Sequence, residues 1–209
     1  MSPKAKNDTA AAAGTTLLYH HLFGLDVGVT PSVMYVDETT LCYAAGHNVV
    51  MYNTDSHRQR VFSGLDNTKA VTALALAPRK NMIAIAERGD RALVSIYDTA
   101  TGKRRKQLST SEIGSTAIVS MDFSEHKTLV TMGGAPDWTL VLWAYDKGKV
   151  LATGKVSNAN ASPISRVSFC PFDHHVLCVS GETILKFFRV QDGVLKMLNP
   201  SLGKHEPIN

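Results

Sequence analysis

Leu93-Val94-Ser95-Ile96-Tyr97-Asp98-Thr99-Ala100-Thr101-Gly102-Lys103-Arg104-Arg105-Lys106 sets the pattern for the whole chain. Val94 and Ile96 alternate with other residues, the period of a strand with one face buried. Tyr97 closes the apolar run, and Asp-Thr-Ala-Thr-Gly supplies turn chemistry. Gly102 stands where a tight hairpin needs a positive φ. Lys103-Arg104-Arg105-Lys106 then begins a return strand. Three consecutive charged positions of a strand cannot all be buried, so this strand is expected at an outer, solvent-facing edge.

The same unit recurs. Tyr52, Tyr97, Trp143 and Phe188 each close a similar run, at successive spacings of 45, 46 and 45 residues. One residue before each marker is apolar (Met51, Ile96, Leu142, Phe187), and so is the residue three before (Val49, Val94, Leu140, Leu185). Five residues after three of the markers come Gly102, Gly148 and Gly193. A second marker agrees: Leu76, Phe123 and Phe169 precede turns and lie 47 and 46 apart. Other short apolar groups, such as TLCYAA from Thr40 and MIAIA from Met82, are also followed by turn residues. No window shows a helical stripe, so the fold class is all-β.

A period near 45 residues with four strands per unit describes the β-propeller of WD-repeat type. Four four-stranded antiparallel blades are expected at about 32–64, 71–109, 117–154 and 164–198. The four markers are expected to be buried in equivalent places. Tyr97-Asp98 and Gly102-Lys103 stand where such repeats carry Trp-Asp and a Gly-Lys turn. Tyr52-Asn53, Trp143-Ala144 and Phe188-Arg189 lack the Asp. Gly46-His47 lies ahead of a third strand rather than at the opening of a repeat. The buried His–Ser–Asp–Trp hydrogen-bond network is therefore expected to be absent, leaving apolar packing to hold the blades.

Composition agrees with a packed protein. The chain has 209 residues, 44% hydrophobic and 19% charged, with a formal net charge of +4. That excess is too small to indicate a nucleic-acid partner, and no apolar run approaches the ~20 residues of a membrane-spanning helix. Residues 1–16 are polar and alanine-rich and are expected to form a mobile tail, with 17–31 a leading strand and linker. Residues 199–209 read as a turn-rich trailer. Cys42, Cys170 and Cys178 are too few for a disulfide scaffold. Cys170 and Cys178 are expected to be buried, reduced thiols.

The segments 18–25, 34–38, 49–53, 73–78 and 167–171, including Tyr19-His20-His21-Leu22-Phe23-Gly24-Leu25 and Met34-Tyr35-Val36-Asp37-Glu38, carry a resemblance. In order and spacing the chain resembles the N-terminal propeller region of the cilia- and flagella-associated protein 57 family. That resemblance implies a structural role in the ciliary or flagellar axoneme, assembling and positioning inner dynein arms. It also implies axonemal partners, with inner dynein arm components and tubulin among them. The family carries two N-terminal propellers and a long coiled coil, whereas this chain holds four blades and no heptads.

Site chemistry is sparse. Phosphate-binding glycine loops, the G-x-S-x-G nucleophile motif and C-x-x-C are all missing. No catalytic residue, cofactor, metal or small-molecule substrate is expected. His174-His175 read as a solvated turn, since neighbouring side chains on a strand point to opposite faces. His20-His21 read alike, with one ring packed beside Tyr19 and Phe23. Two candidate partner-binding features remain. Lys103, Arg104, Arg105 and Lys106 serve either to deter edge-to-edge strand pairing or to meet an acidic partner such as tubulin. Trp138, in the loop Met132-Gly133-Gly134-Ala135-Pro136-Asp137-Trp138, is either an exposed anchor or a cap on its blade.

The leading reading is a non-enzymatic WD-repeat scaffold. A cytoplasmic or nuclear WD-repeat adaptor of another complex is the alternative, and a propeller enzyme the weakest. The four blades are further expected to be part of a longer chain, because the fourth has no successor to cover its face. Alone, such a piece should expose apolar surface and self-associate.

Overall fold

A computed structural model describes residues 20–156 and 163–199. The tail over 1–16 and all but the first residue of the trailer lie outside the described residues. Sixteen strands run in sequence among the described residues, and each set of four forms its own antiparallel sheet. Blade one holds β1 (Val33–Tyr35), β2 (Thr40–Ala45), β3 (Asn48–Asn53) and β4 (Arg58–Ser63). Blade two holds β5 (Thr68–Leu76), β6 (Met82–Gly89), β7 (Leu93–Asp98) and β8 (Arg104–Leu108). Blade three holds β9 (Ile118–Phe123), β10 (Thr128–Gly133), β11 (Thr139–Ala144) and β12 (Lys149–Lys155). Blade four holds β13 (Ile164–Cys170), β14 (Asp173–Gly181), β15 (Leu185–Gln191) and β16 (Val194–Leu198). The architecture is all-β, four propeller blades of WD-repeat type. Their first strands gather around a cleft of about 280 Å³ lined by Met34, Leu76, Met121 and Val167.

The outer hairpins show how local chemistry sets the turns. Gly102, Gly148 and Gly193 adopt φ of 72°, 68° and 75°. Blade one has no glycine at this place; His57, also five residues after its marker, takes φ 53° instead. The Tyr52 hydroxyl lies 2.7 Å from His57 Nδ1, a contact that holds a side chain where glycine would otherwise be favoured.

The four markers occupy equivalent registers. Tyr52 pairs with Leu41, Tyr97 with Ile83, Trp143 with Leu129 and Phe188 with Leu177. Their burial is unequal, which corrects the expectation of four buried rings. Trp143 and Phe188 are buried, at 1% and 5% exposure, while Tyr52 and Tyr97 are half-buried. The cause is direction: each marker reaches back to the preceding blade. Tyr97 meets Phe62 of blade one with ring centroids 5.0 Å apart. Trp143 enters the core shared with blade two, and Phe188 the core shared with blade three. Tyr52 lies in the first blade, so it borders a shallow cleft with Leu22, Phe23 and Tyr43.

Period-2 alternation divides blade two cleanly. Leu74, Ile83 and Ile85 face blade one, whereas Ala73, Ala75, Ala84 and Ala86 face blade three. The small alanine face leaves space for Trp143, Phe123 and Met121 from blade three. Blade three in turn presents Val130, Met132, Leu140 and Leu142 to Val167, Leu177, Val179 and Phe188 of blade four. These are three inter-blade cores for four blades. Large exposed apolar side chains gather at the two ends: Phe23, Val33 and Tyr35 beside blade one, and Phe172, Leu185, Val194 and Met197 on blade four.

Residues 20–29 form no strand, and residues 17–19, where the expected leading strand begins, lie outside the described residues. Their backbone is satisfied otherwise. Leu22 N–H donates to Gln59 Oε1 at 2.7 Å and its carbonyl accepts from Gln59 Nε2 at 3.1 Å. Asp26 N–H donates to the Ala44 carbonyl at 2.9 Å, and only Thr30 forms a bridge, to Ala73.

Polar joints also cross between blades, so the expectation that apolar packing alone holds them is corrected. His47 Nε2 lies 2.7 Å from Thr68 Oγ1, and the Thr68 hydroxyl lies 2.8 Å from Glu87 Oε1. The same carboxylate oxygen accepts the Leu65 N–H at 2.9 Å, and Glu87 is only 2% exposed. Gly64 packs so close to the His47 ring that a Cβ there would displace the imidazole. In blade three, Trp143 Nε1–H donates to Thr131 Oγ1 at 3.0 Å. Ser120 Oγ and Asp122 Oδ2 accept the N–H groups of Val167 and Phe169 at 3.0 and 2.8 Å, tying blade three to blade four.

Trp143→Ala is expected to destabilise by about 3–5 kcal/mol in urea melts, because it empties a packed site. Trp143→Phe should cost about 1–3 kcal/mol, since it removes the indole donor while retaining most of the apolar volume. Glu87→Ala should also cost about 1–3 kcal/mol by stranding buried donors. A neutral Glu87→Ala melt would show that the joint contributes nothing.

Candidate interaction surfaces

β8 is the last strand of its sheet and pairs only with β7. Arg104, Arg105 and Lys106 on it, and Lys103 just before it, are all exposed. The preceding turn fixes their placement. Asp98 Oδ1 accepts the N–H and hydroxyl of Thr101 at 2.8 and 2.9 Å, and Gly102 N–H donates to the Asp98 carbonyl at 2.8 Å. Asp98 Oδ2 accepts from Arg105 Nη2 at 2.7 Å. That Arg105 hydrogen bond, with the Thr101 donors, holds the Asp98 carboxyl well below the usual carboxylate range. Arg105 is thus engaged within its own blade. Lys103, Arg104 and Lys106 have no ion-pair partner among the described residues.

Trp138 is half-buried and packs against the core between blades three and four. That contact is the one expected of a cap on its blade. Its backbone has φ 45°, an unusual conformation for a bulky residue. Surrounding hydrogen bonds hold it there: Trp138 N–H donates to the Gly134 carbonyl at 3.1 Å, and its own carbonyl accepts from Val156 at 3.0 Å. The neighbouring Asp137 accepts from Gly114 N–H, the Thr139 hydroxyl and Lys155 Nζ, at 2.9, 2.9 and 3.2 Å.

A cleft of about 600 Å³ lies between blades one and two. Two of its cations, Arg60 and Lys80, are directed to main-chain carbonyls. Arg60 Nη1 donates to Thr99 and Ala100 at 2.8 and 2.9 Å, and Lys80 Nζ to Tyr35 at 3.1 Å. These residues act as clamps between blades. The sequence offered no signal for them, since the pairs are 39 to 45 residues apart.

The thiols of Cys170 and Cys178 are free and half-buried, more exposed than the sequence suggested. Cys42 is the buried one, and burial pushes its thiol up to about 12. His21 stacks on Phe23 with centroids 6.1 Å apart, although Phe23 is itself 89% exposed; Tyr19 lies outside the described residues.

His174 and His175 depart most from the sequence reading. They lie within β14, not in a turn, and their rings are neighbours with centroids 3.9 Å apart. The expectation of opposite faces fails because the strand is irregular here. Phe169 pairs with Leu177 but the next residue, Cys170, pairs with Asp173, so residues 174–176 bulge away from β13, with only Val176 paired on the other side, to Arg189 of β15. His126, from the β9–β10 turn of blade three, lies against His174 with centroids 3.8 Å apart and rings tilted by 39°. Desolvation within this cluster, followed by the neighbouring His126 and His175, holds the His174 imidazole below its ordinary value.

No protein-family model matches the chain. Sequence comparison nevertheless gives relatives spanning most of its blades. It is 33% identical over 188 residues to mouse (Mus musculus) cilia- and flagella-associated protein 57, covering 88% of this chain. The chain is a relative of cilia- and flagella-associated protein 57. Mouse cilia- and flagella-associated protein 44 is 25% identical over 175 residues, or 83% of the chain. A DENN domain and WD repeat-containing protein of Arabidopsis thaliana is 26% identical over 182 residues, or 87%. The chain spans 15%, 9% and 14% of these relatives' lengths respectively. Its likeness to cilia- and flagella-associated protein 57 therefore concerns one WD-repeat region of a much longer protein.

Four turn carboxylates, Asp37, Asp98, Asp137 and Asp173, are held below the ordinary 3.8. The leading cause is an Arg105 hydrogen bond for Asp98 and a main-chain N–H for each of the others. A depressed folded-state value contributes stability above the unfolded value that is lost as pH falls through the folded one. Asp122 acts oppositely: desolvation raises it, so its ionisation opposes folding as pH rises. With four groups against one, urea midpoints should fall between pH 7 and about pH 3. Asp98→Asn should lessen that acid loss; an unchanged acid loss would show that the Asp98 turn contributes nothing.

Proposed function

We propose that the chain is a non-enzymatic scaffold region of the ciliary or flagellar axoneme. The observation that carries this reading is its likeness, across the blades, to two proteins named as cilia- and flagella-associated. The physical character of the chain supports it. Blades joined by apolar cores and buried hydrogen bonds hold surface residues at fixed spacings, which suits a docking platform. Axonemal proteins are its proposed partners, with inner dynein arm components among them. The exposed β8 cations are proposed to meet an acidic surface, for which tubulin has the right charge.

A second reading, an adaptor in another cytoplasmic or nuclear complex, is favoured by one specific observation. The plant relative, whose printed name describes DENN and WD-repeat regions, is similar over nearly the same share of the chain. Quantitative mass spectrometry of demembranated axonemes against the soluble fraction separates the two readings. Retention with the axoneme is the expected result, and recovery in the soluble fraction would favour the adaptor.

For the basic edge, a variant with Lys103, Arg104 and Lys106 changed to Glu, leaving Arg105 on Asp98, should fold as the parent does. Its co-sedimentation with microtubules should weaken several-fold at low salt, with a shallower salt dependence. Equal binding by parent and variant would leave the cations with only the role of protecting an edge strand.

A further inference from the structure

We propose that Asp173, His174 and His175 of blade four, with His126 of blade three, form a divalent transition-metal site that clips the two blades together. One ligand atom from each of Asp173, His174 and His175 can be chosen so that all lie within 4.8 Å of one another. His126 comes from a different blade, yet its ring is only 3.8 Å from that of His174 between centroids. None of these three rings hydrogen-bonds to another ring of the group, so their nitrogen lone pairs are not committed to one another.

Each ligand has an identifiable reason for its position. The β14 bulge turns His174 and His175 toward a common place. The Asp173 carboxylate accepts the His175 main-chain N–H on Oδ1 at 3.0 Å, faces His175 Nδ1 from the same oxygen at 3.4 Å, and meets Arg189 Nη2 on Oδ2 at 3.1 Å. A carboxylate has about four lone-pair positions, so these contacts orient it without exhausting its capacity; such outer partners commonly fix a metal ligand. His126 is held by its turn, where its N–H donates to Ser124 Oγ at 3.1 Å. His126 and His174 share a cleft of about 370 Å³, so an ion has direct access from solvent.

The donor set selects the ion. Imidazoles with one carboxylate suit zinc, copper(II), nickel or cobalt, whereas magnesium and calcium require mainly oxygen ligands. Water completes the coordination where protein ligands fall short of four. Because ligands come from two blades, binding should resist their separation, linking metal affinity to stability.

The full 209-residue chain should compete with a chromophoric chelator for one equivalent of zinc, and cobalt(II) should give the absorption of an imidazole-bound ion. Magnesium should not compete. His174→Gln and Asp173→Asn should each weaken zinc binding by about tenfold or more, while His21→Ala, a histidine elsewhere, should not. His126→Ala should retain part of the binding but lose most of the zinc-dependent rise in Tm. Failure to compete for zinc, equal binding by the His174 and Asp173 variants, or loss on changing His21 would each overturn the site. A full Tm rise in His126→Ala would overturn the clip.

Discussion

A four-stranded blade buries little by itself; each acquires a core only by lying against its neighbour. The chain meets this constraint with one repeated device, an aromatic near the end of the third strand that reaches back to the preceding sheet. Trp143 does so most completely, because blade two presents alanines to it and leaves room for the indole. A buried side chain of this size contributes on the order of 2–3 kcal/mol. The same device explains the half-buried Tyr52, which has no preceding blade among the described residues and turns its hydroxyl to His57.

Apolar packing alone does not fix how two sheets are rotated against each other. The polar joints supply that direction, because hydrogen bonds have narrow geometry and a buried unpaired donor is costly. His47, Thr68 and Glu87 join blades one and two at one end. Arg60 and Lys80 cap main-chain carbonyls on the same pair of blades. Ser120 and Asp122 do the corresponding work between blades three and four. A scaffold benefits from such joints, since partners docked on different blades keep their relative positions.

The surfaces differ in how firmly the fold commits them. Asp98 draws Arg105 into the hairpin while the other three cations of β8 and its approach stay in solvent. Trp138 is anchored through its loop and spent on packing. The histidine cluster stands apart, because it gathers metal-ligating groups from two blades without pairing their rings.

Sequence by itself determined the all-β class, the four-blade repeat and the outer hairpins. These depend on period-2 alternation and on residues that tolerate positive φ, both local properties. It also placed the basic run on an exposed strand, since adjacent charges cannot share a buried face. Tertiary structure decided which way each marker faces, and therefore why Tyr52 and Trp143 differ in burial. It alone revealed Glu87 as the acceptor for Thr68 and Leu65, with His47 on Thr68, because no local pattern connects the residues of that network. It also overturned the separation of His174 and His175. Strand alternation holds only while the ladder is regular, and the register shift against β13 after Asp173 is a matter of strand pairing that no local spacing encodes.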